Sequence, residues 1–176
     1  VINLRIATIL EEMADMLAGQ GEALFTKRTE IERKFELSKI PTNLDSYDHC
    51  EIVQGYLSLS KDQEERIRKQ GDILTKTTKV QTSSDYRIET EEFITSKMFS
   101  DLWPKTKGKR IKKIRYQIPY HNQIIELDKF LDENDGLVFA EVEFKSEKEA
   151  ESFRSPEWLG EDVTNNPKYK NANLAK

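Results

Sequence analysis

Carboxylates recur two residues apart along this chain: Glu30 and Glu32, Glu89 and Glu91, Glu126 and Asp128, Glu141 and Glu143. Cations repeat the spacing. Lys34 continues the first pair, Arg66 and Arg68 form a second set, Arg87 precedes Glu89, and Lys113 and Arg115 form another. In an extended strand, alternate side chains share a face, so each set projects from one side of its strand. Paired carboxylates offer hard oxygen donors to magnesium, manganese or calcium. Arginine and lysine rows suit phosphoryl oxygens, through charge-assisted hydrogen bonds. Together the two sets are complementary to a divalent cation bound with a linear polyphosphate.

Strands must carry these residues. The alternation predicts them over 29–37, 51–59, 63–70, 73–80, 85–93, 110–118, 123–130 and 137–145. Ile31, Phe35, Ile67, Ile88, Ile114, Leu127, Val142 and Phe144 take the opposite parity. Each strand therefore has one ionic and one largely apolar face. In an ordinary sheet the ionic face is simply the wet exterior. Here the signs largely segregate by strand, whereas a solvated face more often mixes them. An eight-stranded antiparallel β-barrel would instead turn the ionic faces inward and leave the apolar faces for peripheral helices to cover. The expected class is α+β. On β-strand 73–80, counting from Arg68 selects Lys79 over Lys76 for the ionic face, in step with Thr77.

Helices are expected at 38–46, weakened by Pro41, at 95–103, ended by Pro104, and at 147–154, opened by a Ser146–Glu149 capping box. Gly71-Asp72, Gly108 and Asn134-Asp135-Gly136 mark turns. Residues 1–28 read as a separate amphipathic helical arm, with Ile6, Ile9, Leu10, Met13, Met16 and Leu17 on one stripe. The tail from Ser155 reads as irregular, anchored by Trp158 and Tyr169.

Composition narrows the chemistry further. The net charge of −4 argues against a broadly basic nucleic-acid binder. One cysteine, Cys50, permits no internal disulfide. With two histidines, His49 and His121, a Cys/His zinc site or a Ser-His-Asp triad has almost no material. No apolar run is long enough for a membrane span and no leader is visible, so a cytoplasmic protein is expected. The basic run Lys105–Lys113 reads as a solvated turn entering a strand, because no aromatic platform accompanies it.

The residues from 30 to 171 resemble the CYTH, or triphosphate tunnel metalloenzyme, superfamily. Glu30-Ile-Glu-Arg-Lys-Phe resembles its ExExK signature. Arg66-Ile-Arg, Lys79, Arg87-Ile-Glu-Thr-Glu, Leu102-Trp-Pro, Lys113-Ile-Arg-Tyr, Glu126-Leu-Asp, Glu141-Val-Glu-Phe and Lys168-Tyr-Lys-Asn follow in family order. The likeness is greatest to small single-domain bacterial members. It implies metal-dependent hydrolysis of inorganic tripolyphosphate within residues 29–176, with Mg2+ or Mn2+ as cofactor. It assigns Glu30, Glu32, Asp128, Glu141 and Glu143 to the metal, and Lys34, Arg66, Arg68, Lys79, Arg87, Lys113, Arg115 and Lys170 to the phosphates. Glu30, Glu32, Lys34, Glu141 and Glu143 would form the catalytic set, with Glu89, Glu91 and Glu126 on an acidic wall. The expected partner is a small-molecule triphosphate, with neither nucleic acid nor membrane, and the spare arm suggests a homodimer. Hydrolysis of thiamine or nucleoside triphosphates, or polyphosphate binding without turnover, are the alternatives.

Overall fold

Strand alternation organises the observed fold. The computed structural model describes residues 31–83 and 86–176. The expected arm over 1–28, and Glu30, lie outside the described residues. The strands are β1 (Ile31–Leu37), β2 (Asp48–Leu59), β3 (Gln63–Gln70), β4 (Ile73–Ser83), β5 (Tyr86–Phe93), β6 (Arg110–Tyr120), β7 (Gln123–Phe130), β8 (Val138–Phe144) and β9 (Leu159–Asp162). They form one antiparallel sheet in the order β5-β4-β3-β2-β6-β7-β8-β1-β9.

Among the described residues that order does not return on itself, so the expected closed eight-stranded barrel is corrected to an open, tunnel-like sheet, with nine strands in the described part. The tail explains the difference. Expected to be irregular, it supplies β9, which pairs Phe35 with Asp162 and Leu37 with Leu159. β9 thereby occupies the edge of β1 that barrel closure would have needed. Gly71, at φ 57°, makes the left-handed turn that joins β3 to β4.

Short helices complete the fold. α1 (Ser96–Leu102) is capped by Thr95, whose hydroxyl accepts from the Met98 amide. Pro104 then opens a 3-10 helix, Trp103–Thr106, where its missing N–H is harmless. α2 (Glu147–Ser152) is capped by Ser146, and the Glu149 carboxylate reaches back to the Lys145 amide, one residue before a reciprocal box would place it. The helix expected over 38–46 is only a 3-10 turn, Leu44–Ser46, consistent with the break imposed by Pro41. α3 (Asn171–Leu174) closes the chain.

The apolar faces of β1, β6, β7 and β8 bury Phe35, Tyr116, Ile125, Leu127, Ala140 and Val142 against Ala150 of α2 and Leu159 of β9. Burial of each large side chain of this kind stabilises by about 1.5–3 kcal/mol. A second cluster lies on the inner face. Tyr56, Ile111, Phe130 and Phe139 pack with Val163 and Tyr169 from the tail. The inner face thus meets the tail through an apolar patch beside its ionic rows. No helix of the described residues is long and apolar enough to cross a membrane.

Candidate active site

Antiparallel register converts the two-residue spacings into cross-strand pairs. Between β1 and β8, Glu32 lies opposite Glu143 and Lys34 opposite Glu141. Lys34 Nζ is 2.8 Å from Glu141 Oε1, donates to the Tyr169 carbonyl at 3.0 Å, and sits 4.9 Å from the Phe139 ring centroid. The tail is thereby tied to the strand that carries the signature.

Between β6 and β7, Arg115 lies opposite Asp128 and Glu126 opposite Gln117. The Arg115 guanidinium donates from Nε to Asp128 Oδ1 at 2.7 Å, and from Nη2 to Asp128 Oδ2 at 2.6 Å and to Glu141 Oε2 at 2.8 Å. Its Nη1 donates to Glu126, and Lys113 donates to Asp128 Oδ2. Lys113 and Asp128 are both wholly buried. Burial, reinforced by Arg115, lowers the Lys113 pKa to about 8, although Asp128 and Glu141 oppose the shift. Burial alone would raise the Glu141 carboxyl, but Arg115, Lys113 and Lys34 hold it well below the usual carboxylate range.

On the other side, β2, β3, β4 and β5 present a mostly cationic and hydroxylic wall. Gln54 lies opposite Arg68 and Tyr56 opposite Arg66. Arg68 Nη2 donates to Gln54 Oε1 at 3.2 Å, and Gln54 Nε2 donates to the Tyr56 hydroxyl at 3.0 Å. Lys79 pairs with Glu89 at 2.6 Å, and Thr77 donates to Glu91 at 3.2 Å. Lys76 leaves the opposite face to meet Glu65 at 2.7 Å.

The two walls flank a half-open cavity of about 200 Å³ lined by Glu32, Lys34, Tyr56, Glu64, Arg66, Arg68, Lys79, Arg115, Glu141, Glu143 and, from the tail, Lys170, Asn171 and Ala172. Six of these are cations and four are carboxylates, so the lining favours an anion. The Arg66 Nε hydrogen is buried without a hydrogen-bond partner among the described residues, a donor suited to an oxyanion. The carboxylates Glu32, Glu141 and Glu143 supply hard oxygen donors of the kind magnesium and manganese take. Glu32 and Glu143 face each other in register, an arrangement of like charges that a cation relieves. Among the described residues no three such ligands converge into a ready-made metal site.

The structure therefore brings Glu32, Lys34, Arg66, Arg68, Lys79, Arg115, Glu141, Glu143 and Lys170 to one cavity. Lys113, Glu126 and Asp128 are not among its lining side chains, nor are Glu89, which pairs with the lining residue Lys79, and Glu91, which accepts from Thr77. Glu30 and the Arg87 side chain lie outside the described part. Sequence reasoning missed Gln54, Tyr56 and Asn171, and it left Glu64, which shares the ionic parity of Arg66 and Arg68, out of the site. A search for charge passes over Gln54 and Tyr56, yet both share the inward parity of β2, and that parity was the available signal.

No family model matches the chain. An inorganic triphosphatase of Nitrosomonas europaea is 41% identical over 151 residues, covering 84% of this chain and 97% of the relative. An inorganic triphosphatase of Acetivibrio thermocellus is 34% identical over 152 residues, covering 84% and 93%. A crystal structure of an inorganic triphosphatase matches with a TM-score of 0.65 at 38% identity, over 84% of this chain and 95% of that one. A putative adenylate cyclase from Bacillus halodurans shares the fold, at 21% identity and a TM-score of 0.51 over 69% of this chain and 83% of that one. Relatives this similar, aligned along nearly their whole length, place the protein: the chain belongs to the inorganic triphosphatase family.

Proposed function

We propose that this protein hydrolyses inorganic tripolyphosphate to pyrophosphate and phosphate, as a triphosphate tunnel (CYTH) enzyme dependent on Mg2+ or Mn2+. The observation that carries the reading is the shared cavity, in which Lys34, Arg66, Arg68, Lys79 and Lys170 line the same space as Glu32, Glu141 and Glu143. Anion binding alone gains nothing from the carboxylates; a hydrolase that couples a polyanion to a divalent cation uses both.

Phosphoryl transfer needs mainly positioning and charge stabilisation. The lysines and arginines fix the phosphate chain and take up charge that develops on the leaving oxygen. Glu32, Glu141 and Glu143, with Glu30, would hold the metal, which when bound supplies Lewis-acid neutralisation of phosphoryl oxygens. Lys34 stands between the two sets, on Glu141 and on the tail carbonyl, and so fixes the spacing of phosphate and acid. No covalent nucleophile is required.

The test is phosphate release from tripolyphosphate, pyrophosphate, ATP and thiamine triphosphate with Mg2+ or Mn2+. Release from tripolyphosphate well above the other three, abolished by Glu32→Ala, is the expected result. Preference for ATP or thiamine triphosphate would move the assignment to those substrates, and tight binding without release would make the protein a polyphosphate-binding module.

A further inference from the structure

We propose that Asp128 is a positioning residue that holds Arg115 at the cavity wall, and not one of the metal ligands that the family resemblance suggests. The inference rests on the triphosphatase reading of the cavity. Asp128 is wholly buried and is not among the lining side chains, whereas Arg115 lines the cavity. Three charge-assisted hydrogen bonds end on its carboxylate: Arg115 Nε on Oδ1 at 2.7 Å, Arg115 Nη2 on Oδ2 at 2.6 Å, and Lys113 on Oδ2. A carboxylate oxygen accepts about two such bonds, so Oδ2 is fully engaged.

A metal at Asp128 would also stand against the Lys113 ammonium, itself wholly buried, at a position where charge repulsion is poorly screened. The forked contact does something else well. It fixes one edge of the guanidinium plane, and this orients Nη1 toward Glu126 and Nη2 toward Glu141. Asp128 thus acts on the cavity through Arg115, and Arg115 in turn sets the Glu141 carboxylate.

Three variants and a double variant separate the two roles: Asp128→Asn, Arg115→Lys, Asp128→Asn in the Arg115→Lys background, and Glu143→Gln as the ligand control. Mn2+ alone is titrated by electron paramagnetic resonance. Tripolyphosphate affinity is measured by calorimetry and KM by phosphate release. The expected result is that Asp128→Asn binds Mn2+ like the unmodified protein while Glu143→Gln does not. Asp128→Asn also weakens tripolyphosphate binding on the order of tenfold or more, from loss of charged hydrogen bonds at the guanidinium. In the Arg115→Lys background the same change has little further effect, because both act through one contact.

Loss of Mn2+ affinity in Asp128→Asn equal to that in Glu143→Gln overturns the inference, as do independent, multiplying effects of the two substitutions. If Asp128→Asn does not fold, Lys113→Gln with Asp128→Asn replaces the buried charges together and carries the same measurements. Should the unmodified protein release no phosphate, the triphosphatase reading fails, while the Mn2+ and calorimetric comparisons still decide the role of Asp128.

Discussion

Lys76 and Lys79 sit three residues apart on β4 and leave it on opposite faces, so alanine at each site tests the inward geometry directly. Lys79 lines the cavity and pairs with Glu89 at 2.6 Å. Lys76 pairs with Glu65 and Glu92 on the other face and is about a quarter exposed. A charge-assisted hydrogen bond to a phosphate is worth about 1.5–3 kcal/mol, or on the order of 10- to 150-fold in binding. Substrate must draw Lys79 from Glu89, which removes part of that gain, so the lower end applies. Lys79→Ala is expected to reduce kcat/KM for tripolyphosphate by about 10- to 30-fold. Lys76→Ala removes only a partly exposed ion pair, worth about 0.2–1 kcal/mol of stability, with kcat/KM unchanged. Phosphate-release kinetics and thermal melting of both variants provide the comparison. Equal losses of kcat/KM in the two variants, or none at Lys79, would refute the assignment of faces on β4.

Gly55 of β2 approaches the 3-10 helix so closely that a Cβ there would lie 2.5 Å from Thr106 Cβ. Gly55→Ala should therefore destabilise by about 1–3 kcal/mol, read as a lower melting temperature, and an unchanged melt would mean that the helix shifts freely. The Tyr56 phenol is raised to about 12, by burial first. A pKa raised on folding contributes stability that is complete below the ordinary tyrosine pKa, near 10, and is lost as pH rises through about 12. That rise corresponds to about 3 kcal/mol, so Tyr56→Phe should show a shallower loss of stability over that interval in denaturant titrations, and parallel curves would contradict it. Removing divalent cations with a chelator should stop phosphate release and Mg2+ or Mn2+ should restore it, while persistent turnover in the chelated protein would exclude metal dependence.

Much of this site was legible because a strand's side chains repeat with period two. Parity alone assigned Glu32, Lys34, Arg66, Arg68, Glu141 and Glu143 to one face, and separated Lys79 from Lys76. It also identified eight of the nine strands among the described residues, since alternation persists along most of them. Parity carries no information on depth. Asp128 and Glu143 belong to equally plain acidic pairs, yet Asp128 is sealed beneath Lys113 and Arg115 while Glu143 lines the cavity. Neutral members of the wall were equally hidden, because Gln54 and Tyr56 have no charge to draw attention, and their places beside Arg68 and Arg66 are set across the β2–β3 register.

Local sequence determined the strands, their two faces and the chemical kind of ligand those faces could hold, because these properties depend on alternation within a few residues. The tertiary structure alone decided which pairs meet across strands, how deep each carboxylate lies, and that the tail would take the open edge of β1 as a ninth strand. Those outcomes depend on contacts between residues far apart in the chain, such as Lys34 with Tyr169 and Phe35 with Asp162, whose pairing no local period encodes.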